Sequence, residues 1–149
     1  MQNGLLISQI RTKQGLSQKD VARHLNTSLT VYKMYEANVR AMKIVELNEL
    51  SNYFKVSLNC LLGISNNLKI RNSFDIDYKY LRFSLKYVRK IHRVTQKELA
   101  KELKVSIPTV AHYEKHPEEM NAQYLKAFAL KFHISVDYIC GKTLKKEVL

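Results

Sequence analysis

The side chains that could do chemistry in this chain are amides, hydroxyls and cations, and they recur in two sets. Gln18 and Ser28 stand in one half of the chain, and Gln96 and Ser106 stand in the other half with the same spacing. A serine that caps a helix, with the free backbone N–H groups of the first turn, can hold an anion such as phosphate. The sequence shows no nucleophile–base grouping, glycine-rich phosphate loop or carboxylate cluster. We therefore predict no catalytic site, no enzyme activity and no cofactor.

Metal and disulfide chemistry are not expected either. His112 and His116 are four residues apart and could share a helix face, but no acidic or cysteine ligand accompanies them at zinc spacing, and Pro117 ends the segment. Cys60 and Cys140 lie in apolar segments at positions that do not correspond in the two halves. We expect both to be reduced core thiols rather than a disulfide, as in a cytoplasmic protein.

The chain repeats itself at an offset of 78 residues without a gap. The stretch between Ser28 and Tyr35 differs almost completely from the stretch between Ser106 and Tyr113. Residues that match in the two halves therefore flank a segment that differs, which indicates one fold used twice for different contacts. We predict a first domain over 1–64 (repeat 1), a linker over 65–76 and a second domain over 77–149 (repeat 2), whose short charged tail, 142–149, is expected to be frayed. The shared residues include Arg11/Arg89, Ala22/Ala100, Glu36/Glu114, Met42/Met120 and Gly63/Gly141.

The charge of the chain favours an anionic partner. The formal net charge is +12, and the segments 1–72 and 73–149 contribute +6 each. Such a balance points to nucleic acid first and a membrane surface second. No apolar run approaches the ~18 residues that span a bilayer, and the first residues lack the basic start of a signal peptide. We therefore expect no membrane partner.

Helical periodicity is strong and strand-like alternation is weak, so the sequence predicts an all-α fold. Ser17, Ser28 and Ser57 are expected to cap helices in repeat 1, and Gly63 to end the last one in a left-handed conformation. Thr95, Ser106 and Ser135 should do the same in repeat 2. The predicted helices are 5–13, 18–25, 29–36, 44–54 and 58–62, then 77–92, 96–103, 107–114, 122–132 and a last turn within 135–141.

Two short helices joined by about three residues are predicted twice, in the strings LSQKDVARHLNTSLTVYKMYE and VTQKELAKELKVSIPTVAHYE. The strings are followed by an apolar helix and then by VSLNCLLG or ISVDYICG. The chain therefore resembles the Cro/C1-type (phage-repressor-like, XRE) helix-turn-helix family. The resemblance implies two tandem five-helix, lambda-repressor-like domains that bind double-stranded DNA, each with its second motif helix in the major groove. It implies a cytoplasmic, nucleoid-associated transcriptional regulator, expected to be a repressor that occupies its operator without a small-molecule ligand.

The resemblance also implies which residues contact DNA, although an ordinary solvated helix face remains the alternative for each copy. Arg11 with Glu36, and Arg89 with Glu114, match a pair that holds the first helix to the end of the third, and we interpret them as structural. In repeat 1 the implied DNA contacts are Gln18, Ser28, Leu29, Thr30, Lys33, Met34 and Arg40, with Val31 nearby. In repeat 2 they are Gln96, Ser106, Ile107, Pro108, Thr109, Ala111 and His112.

Repeat 2 departs from the family pattern. Arg40 of repeat 1 has no basic counterpart there, because the corresponding loop contains Glu118 and Glu119. Pro108 puts an apolar residue at a position expected to contact bases. Lys104 occupies the turn position where the family usually has glycine, and Asn26 occupies the same position in repeat 1. Repeat 2 is therefore expected to bind DNA weakly, differently or not at all.

The first helix of repeat 2 carries an extra aromatic stripe made of Tyr80, Phe83 and Tyr87. The stripe could be a docking surface for repeat 1 or for a second chain, or the rings could simply cover the core edge. We expect a homodimer that places two copies of repeat 1 on DNA. Two alternatives remain: a monomer whose repeats straddle one asymmetric site, and a protein-interaction module such as an antitoxin or mobile-element inhibitor.

Overall fold

A computed structural model describes residues 3–66 and 75–143, and within them the fold is all-α, as predicted. None of the helices in these two stretches has the length and apolarity needed to cross a membrane. Observed helix ends lie within a few residues of the predicted ones. Repeat 1 contains α1 (Asn3–Lys13), α2 (Gln18–His24), α3 (Leu29–Glu36), α4 (Ile44–Phe54) and α5 (Leu58–Leu61); repeat 2 contains α6 (Tyr78–Ile91), α7 (Gln96–Leu103), α8 (Ile107–Lys115), a 3₁₀ turn (Pro117–Glu119), α9 (Ala122–Phe132) and α10 (Val136–Ile139).

The helices begin where side chains can satisfy free backbone N–H groups, which confirms the predicted caps. Ser28 accepts from the N–H of Val31 at the start of α3. Ser106 accepts from the N–H of Thr109 at the start of α8. Each such cap is worth about 1 kcal/mol, and here it sets where each of these two exposed helices begins.

The motif turns keep left-handed geometry without glycine. Asn26 has φ 53° and Lys104 has φ 56°. Asparagine tolerates this region well, whereas a lysine pays about 1 kcal/mol or more. Gly63 and Gly141 adopt φ 71° and 73°, as predicted for helix ends.

Each motif is packed through a small residue. Ala22 and Ala100 are both 2% exposed, so α2 and α7 can lie close to the helices that follow them. Tyr32, Tyr35 and Val110 are buried on the inner sides of α3 and α8, whereas Tyr113, also expected on the buried side of α8, is half-buried against the core. The opposite side of each helix is therefore left for contacts outside the domain.

The two repeats are joined by a backbone bridge with pseudo-twofold symmetry. The N–H of Ile44 donates to the carbonyl oxygen of Met120 over 2.9 Å, and the N–H of Ala122 donates to the carbonyl oxygen of Met42 over 2.8 Å. The offset of 78 residues exchanges the two bonds, since it maps 42 onto 120 and 44 onto 122. Equivalent segments therefore face each other across an axis.

The same relation holds where α5 meets α10. The Asp137 carboxylate accepts from the N–H groups of Leu58 and Asn59, both over 2.9 Å. In return the Asn59 side-chain oxygen accepts from the N–H of Val136 over 2.8 Å, and its amide nitrogen donates to Ser135. Asn59 and Asp137 are equivalent positions, so each repeat caps a helix of the other. Burial raises the pKa of Asp137, although hydrogen bonds from Asn59 and Leu58 oppose that effect.

Lys142 makes a contact between the repeats that has no symmetric counterpart, and the prediction made for it is wrong. It was assigned to a charged, frayed tail, yet its side chain is 2% exposed. Its Nζ donates to Asn48, Ser51 and Asn52 of α4 over 2.8–3.1 Å. Burial lowers the pKa of Lys142. The position lies within the folded structure, while the rest of the predicted tail, 144–149, lies outside the described residues.

The predicted linker also lies partly outside them, over 67–74. Its end is packed, since Ile76 is buried and the Asp75 carboxylate accepts from the Asn52 amide over 2.8 Å. In the described residues repeat 1 meets repeat 2 through the bridge, α4, α5 and α10. The proposal that the aromatic stripe of α6 is the docking surface for repeat 1 is therefore wrong.

Candidate nucleic-acid interface

Helix α3 presents the residues expected to contact DNA. Thr30 and Lys33 are exposed, and the apolar Leu29 and Met34 are 38% and 39% exposed. Val31 is half-buried and packs against the core. The exposed side of α3 therefore combines one cation, a hydroxyl and two apolar groups, a set that can contact both phosphates and thymine methyl groups.

A partly buried ion pair fixes the end of α3 to α1. The Arg11 guanidinium donates to both carboxylate oxygens of Glu36, and its third contact is the carbonyl oxygen of Leu16 over 2.8 Å. Burial raises the pKa of Glu36, but hydrogen bonds from Arg11 and Gln18 outweigh it, so the net pKa is lowered. The pair holds α3 at a fixed angle, which agrees with its structural assignment.

Repeat 2 builds the same anchor for α8. Arg89 donates to both oxygens of Glu114 and to the carbonyl oxygen of Val94 over 2.9 Å. Arg89 and Glu114 are both buried. The chemistry that positions the two exposed helices is therefore identical in the two repeats.

The two glutamines expected to hold phosphate take part in these anchors. The amide nitrogen of Gln18 donates to Glu36 over 2.7 Å, and that of Gln96 donates to Glu114 over 2.9 Å. Each amide keeps a second N–H, and the backbone N–H groups of its helix start stand beside it. Phosphate contact by Gln18 and Gln96 thus remains a prediction, with the amide orientation already fixed by the carboxylate.

The polar residues expected to contact DNA in α8 are engaged within the protein. The Thr109 hydroxyl lies 2.8 Å from the Ser106 hydroxyl. The His112 ring bonds to the Glu119 carboxylate. The remaining exposed residues, Ile107 and Pro108, have no polar group to offer, and Ala111 is half-buried. The outer side of α8 is therefore more apolar than that of α3.

The loops after these helices have opposite charges. Arg40 is exposed just beyond α3, and the equivalent position in repeat 2 is the exposed Glu118, followed by Glu119. An anion near these loops would be attracted in repeat 1 and repelled in repeat 2.

Repeat 2 carries a basic groove that the sequence reasoning missed. Lys79, Arg82 and Lys86 of α6 line a groove of about 600 Å³ together with Lys115 at the end of α8. Gln96, Phe83, Ala111 and Glu114 complete its wall. The three α6 cations are three and four residues apart, so they share one helix side. The spacing of these cations along the sequence is the signal that could have indicated the groove.

The three residues of the aromatic stripe do not share one environment in the structure. Phe83 and Tyr87 are 62% and 52% exposed, and their rings stack with centroids 5.4 Å apart. Tyr80 is half-buried and lies against Gly141, where an added Cβ would come within 3.3 Å of its ring. Tyr80 therefore belongs to the interior of repeat 2 and not to an exposed patch.

Comparison with known families supports the assignment of both repeats. Residues 4–63 match a family model described as a helix-turn-helix domain, and residues 85–139 match a second one described as helix-turn-helix. No curated protein and no solved structure matches the chain. The two matches follow one another without overlap and together cover more than half of the chain. The chain belongs to the Cro/C1-type helix-turn-helix family and carries two copies of its domain in tandem.

Proposed function

We propose that this protein is a sequence-specific double-stranded DNA-binding transcriptional regulator that represses by occupying its operator. Its family is one of DNA-binding regulators in general. The observation that carries the proposal is the symmetric pairing of the repeats, through the Met42–Ala122 and Ile44–Met120 bonds, around two anchored and outward-facing helices. Two helices related by a twofold axis are the arrangement that fits successive major grooves.

One chain supplies both halves of the reading surface in this proposal. A homodimer presents the same helix twice, whereas α3 and α8 differ at every exposed position named above. The preferred operator is therefore a pseudo-palindrome with two unlike half-sites. Repeat 1 contributes most of the base contacts, through Thr30 and Lys33, and Arg40 contributes a phosphate contact.

Repeat 2 contributes backbone contacts through the groove on α6. Lys79, Arg82 and Lys86 form a continuous cationic surface beside Gln96 at the start of α7. Cations in this position hold phosphates without reading sequence. They offset the repulsion expected from Glu118 and Glu119, which follow the end of α8.

A homodimer through Phe83 and Tyr87 is the second arrangement, supported by the exposure of these stacked rings. It is disfavoured because Lys79, Arg82 and Lys86 line the groove that Phe83 also borders. Across a twofold axis these cations would face their own copies, and like charges repel. The helix-turn-helix matches likewise favour DNA over a protein partner as the main ligand.

Selection of bound duplexes from a random pool, followed by footprinting and sedimentation on the selected site, tests the proposal. We expect one chain per duplex and protection of two adjacent major grooves. Arg40→Ala should weaken binding to the site, while Lys13→Ala, an equal charge change on the α1 surface near Phe54, should not. Two chains per duplex would favour the homodimer, and salt-insensitive or absent DNA binding would favour the protein-interaction module.

A further inference from the structure

Two imidazoles and two carboxylates converge where α8 ends. His112 lies on α8 and His116 is its C-cap, and their ring centroids are 5.1 Å apart. Glu118 and Glu119 follow at once on the 3₁₀ turn. One ligand atom each from His116, Glu118 and Glu119 lies within 4.8 Å of the other two, and His112 Nε2 contacts the Glu119 carboxylate.

We propose that these four side chains bind a borderline divalent transition-metal ion of the class of Zn²⁺, Co²⁺ and Ni²⁺. Imidazole nitrogen and carboxylate oxygen are donors that these ions accept. Bonds of about 2.1 Å in a tetrahedral arrangement separate ligand atoms by about 3.4 Å. The ligand atoms of His116, Glu118 and Glu119 therefore have to close by at most about 1.4 Å. The His112 ring has to adjust its contact with Glu119, and side-chain rotation suffices because all four residues are exposed.

The backbone under the four ligands is braced, so closure on an ion does not require ordering a loop. Pro117 fixes φ at the start of the turn. The N–H of His116 donates to the carbonyl oxygen of His112 over 2.7 Å, and the N–H of Glu119 donates to that of His116 over 3.1 Å. The next residue, Met120, accepts the bridging bond from repeat 1. The proposed site thus stands on the rigid junction of the two repeats.

The donors are confined to repeat 2. Their equivalents in repeat 1 are Met34, Asn38, Arg40 and Ala41, and none of these is an imidazole or a carboxylate. The surrounding Tyr-Glu and Met positions are the same in both repeats. The ordinary alternative is two separate surface ion pairs, His112 with Glu119 and His116 with Glu118, in which each imidazole contacts only its own carboxylate. Such exposed pairs contribute little to stability in water.

The consequence for DNA rests on the proposed function. A divalent ion neutralises the two carboxylates that would otherwise repel phosphate. Repeat 2 would then contact DNA in its metal-bound form, so the ion acts as a ligand that favours one binding mode.

The test uses the untagged full chain, stripped with EDTA and then dialysed. Titration with CoCl₂ should give one bound equivalent with the visible ligand-field bands of a tetrahedral site, and ZnCl₂ should displace it. Cys60 and Cys140 are buried, so the spectrum should lack the thiolate charge-transfer band that an unfolded chain would produce. A spectrum of free Co²⁺ alone, or one with thiolate bands, overturns the site.

The double variant His112→Met with His116→Asn carries the residues of repeat 1 and should lose the bound equivalent while its circular dichroism stays unchanged. His133→Asn is the matched control, because His133 is exposed, lies at left-handed φ 51° and tolerates asparagine there. Glu118→Gln with Glu119→Gln serves as an independent second variant. Equal cobalt binding by all three would show that the ion lies elsewhere.

DNA binding is measured separately on a duplex selected with metal present. Zinc should raise the affinity of the wild type several-fold and leave the His112→Met/His116→Asn variant unchanged. Metal binding without any change in DNA affinity would refute the coupling but leave the site. Loss of all DNA binding, with or without zinc, would refute the proposed function instead.

Discussion

Asp137 offers the sharpest test of how the two repeats are held together. Its carboxylate accepts from the buried N–H groups of Leu58 and Asn59, both over 2.9 Å. Asp137→Ala leaves both donors without a partner, and each unsatisfied buried group costs about 1–3 kcal/mol. Relief from burying a carboxylate offsets part of that cost. We expect a loss of about 2–5 kcal/mol, which for a chain of this length lowers Tm by roughly 5–15 °C.

The assay is urea and thermal unfolding followed by circular dichroism, with Glu49→Ala as the matched removal of an exposed carboxylate. Glu49 is exposed, and its ion-pair contact with His24 is long at 3.9 Å, so its loss should cost under about 0.5 kcal/mol. Asp137→Asn should cost less than Asp137→Ala, because Asn59 shows that an amide oxygen can serve one N–H at the equivalent position. If Asp137→Ala unfolds like Glu49→Ala, the inter-repeat junction does not form as described.

The pH dependence of stability is a second test of Asp137, and the direction of the change can be predicted. Burial holds the pKa of Asp137 above its ordinary 3.8. A carboxyl group whose folded pKa is raised binds its proton more readily in the folded state, so its contribution to stability increases as pH falls through the folded pKa. The stability of the wild type relative to Asp137→Asn should therefore increase as pH is lowered from neutrality.

Other predictions concern the DNA-facing parts and the thiols. Lys33→Ala should remove about 1–3 kcal/mol of discrimination between sites if Lys33 contacts a base, measured by competition between selected and mismatched duplexes. Arg40→Ala should weaken all duplexes alike and reduce the slope of log K against log salt by about one unit; wild-type behaviour would exclude phosphate contact. Glu36→Gln should lose up to about 3 kcal/mol of stability together with DNA affinity. Because the pKa of Glu36 is lowered in the folded state, its contribution to stability is present above its ordinary pKa of 4.5 and is lost as pH falls through the lower folded pKa. Acid unfolding measures this loss. Burial raises the pKa of both Cys60 and Cys140, so both should react with a thiol reagent only as fast as the chain unfolds, and rapid labelling of either would contradict their burial.

The parts of the fold that could be predicted from the sequence are those fixed by local chemistry. Ser28 and Ser106 specify helix starts because their hydroxyls serve N–H groups three residues away. The left-handed turns at Asn26 and Lys104 agree with the glycine that the family usually has at these positions. Such signals lie within a few positions of the structure that they determine.

The junction of the repeats could not be predicted in this way. Asn59 and Asp137 are 78 residues apart and look like ordinary polar helix residues. Lys142 follows a helix end in a charged segment, which is typical of a frayed tail, yet three side chains of α4 enclose its ammonium group. Long-range pairing of polar groups depends on the packed geometry, which periodicity does not contain.

The candidate site likewise has one part that could be predicted from the sequence and another that could not. The resemblance to the family implied which residues of α3 face outward, and the structure leaves them exposed opposite the buried Tyr32 and Tyr35. The contact between His112 and Glu119 did not, because it depends on a 3₁₀ turn that brings residues seven apart together. The groove on α6 depends likewise on how α8 packs beside that helix.

The covalent joining of two paired repeats has a consequence for how the protein responds to its own abundance. A regulator that assembles from separate subunits becomes active steeply, because its active species increases with the square of subunit concentration at low abundance. Here the Met42–Ala122 and Ile44–Met120 bonds form within one chain, and the partner is always present at high effective concentration. Occupancy of a single operator should therefore rise hyperbolically with protein level, without a threshold, and any sharp switching would have to come from multiple operators or from a ligand.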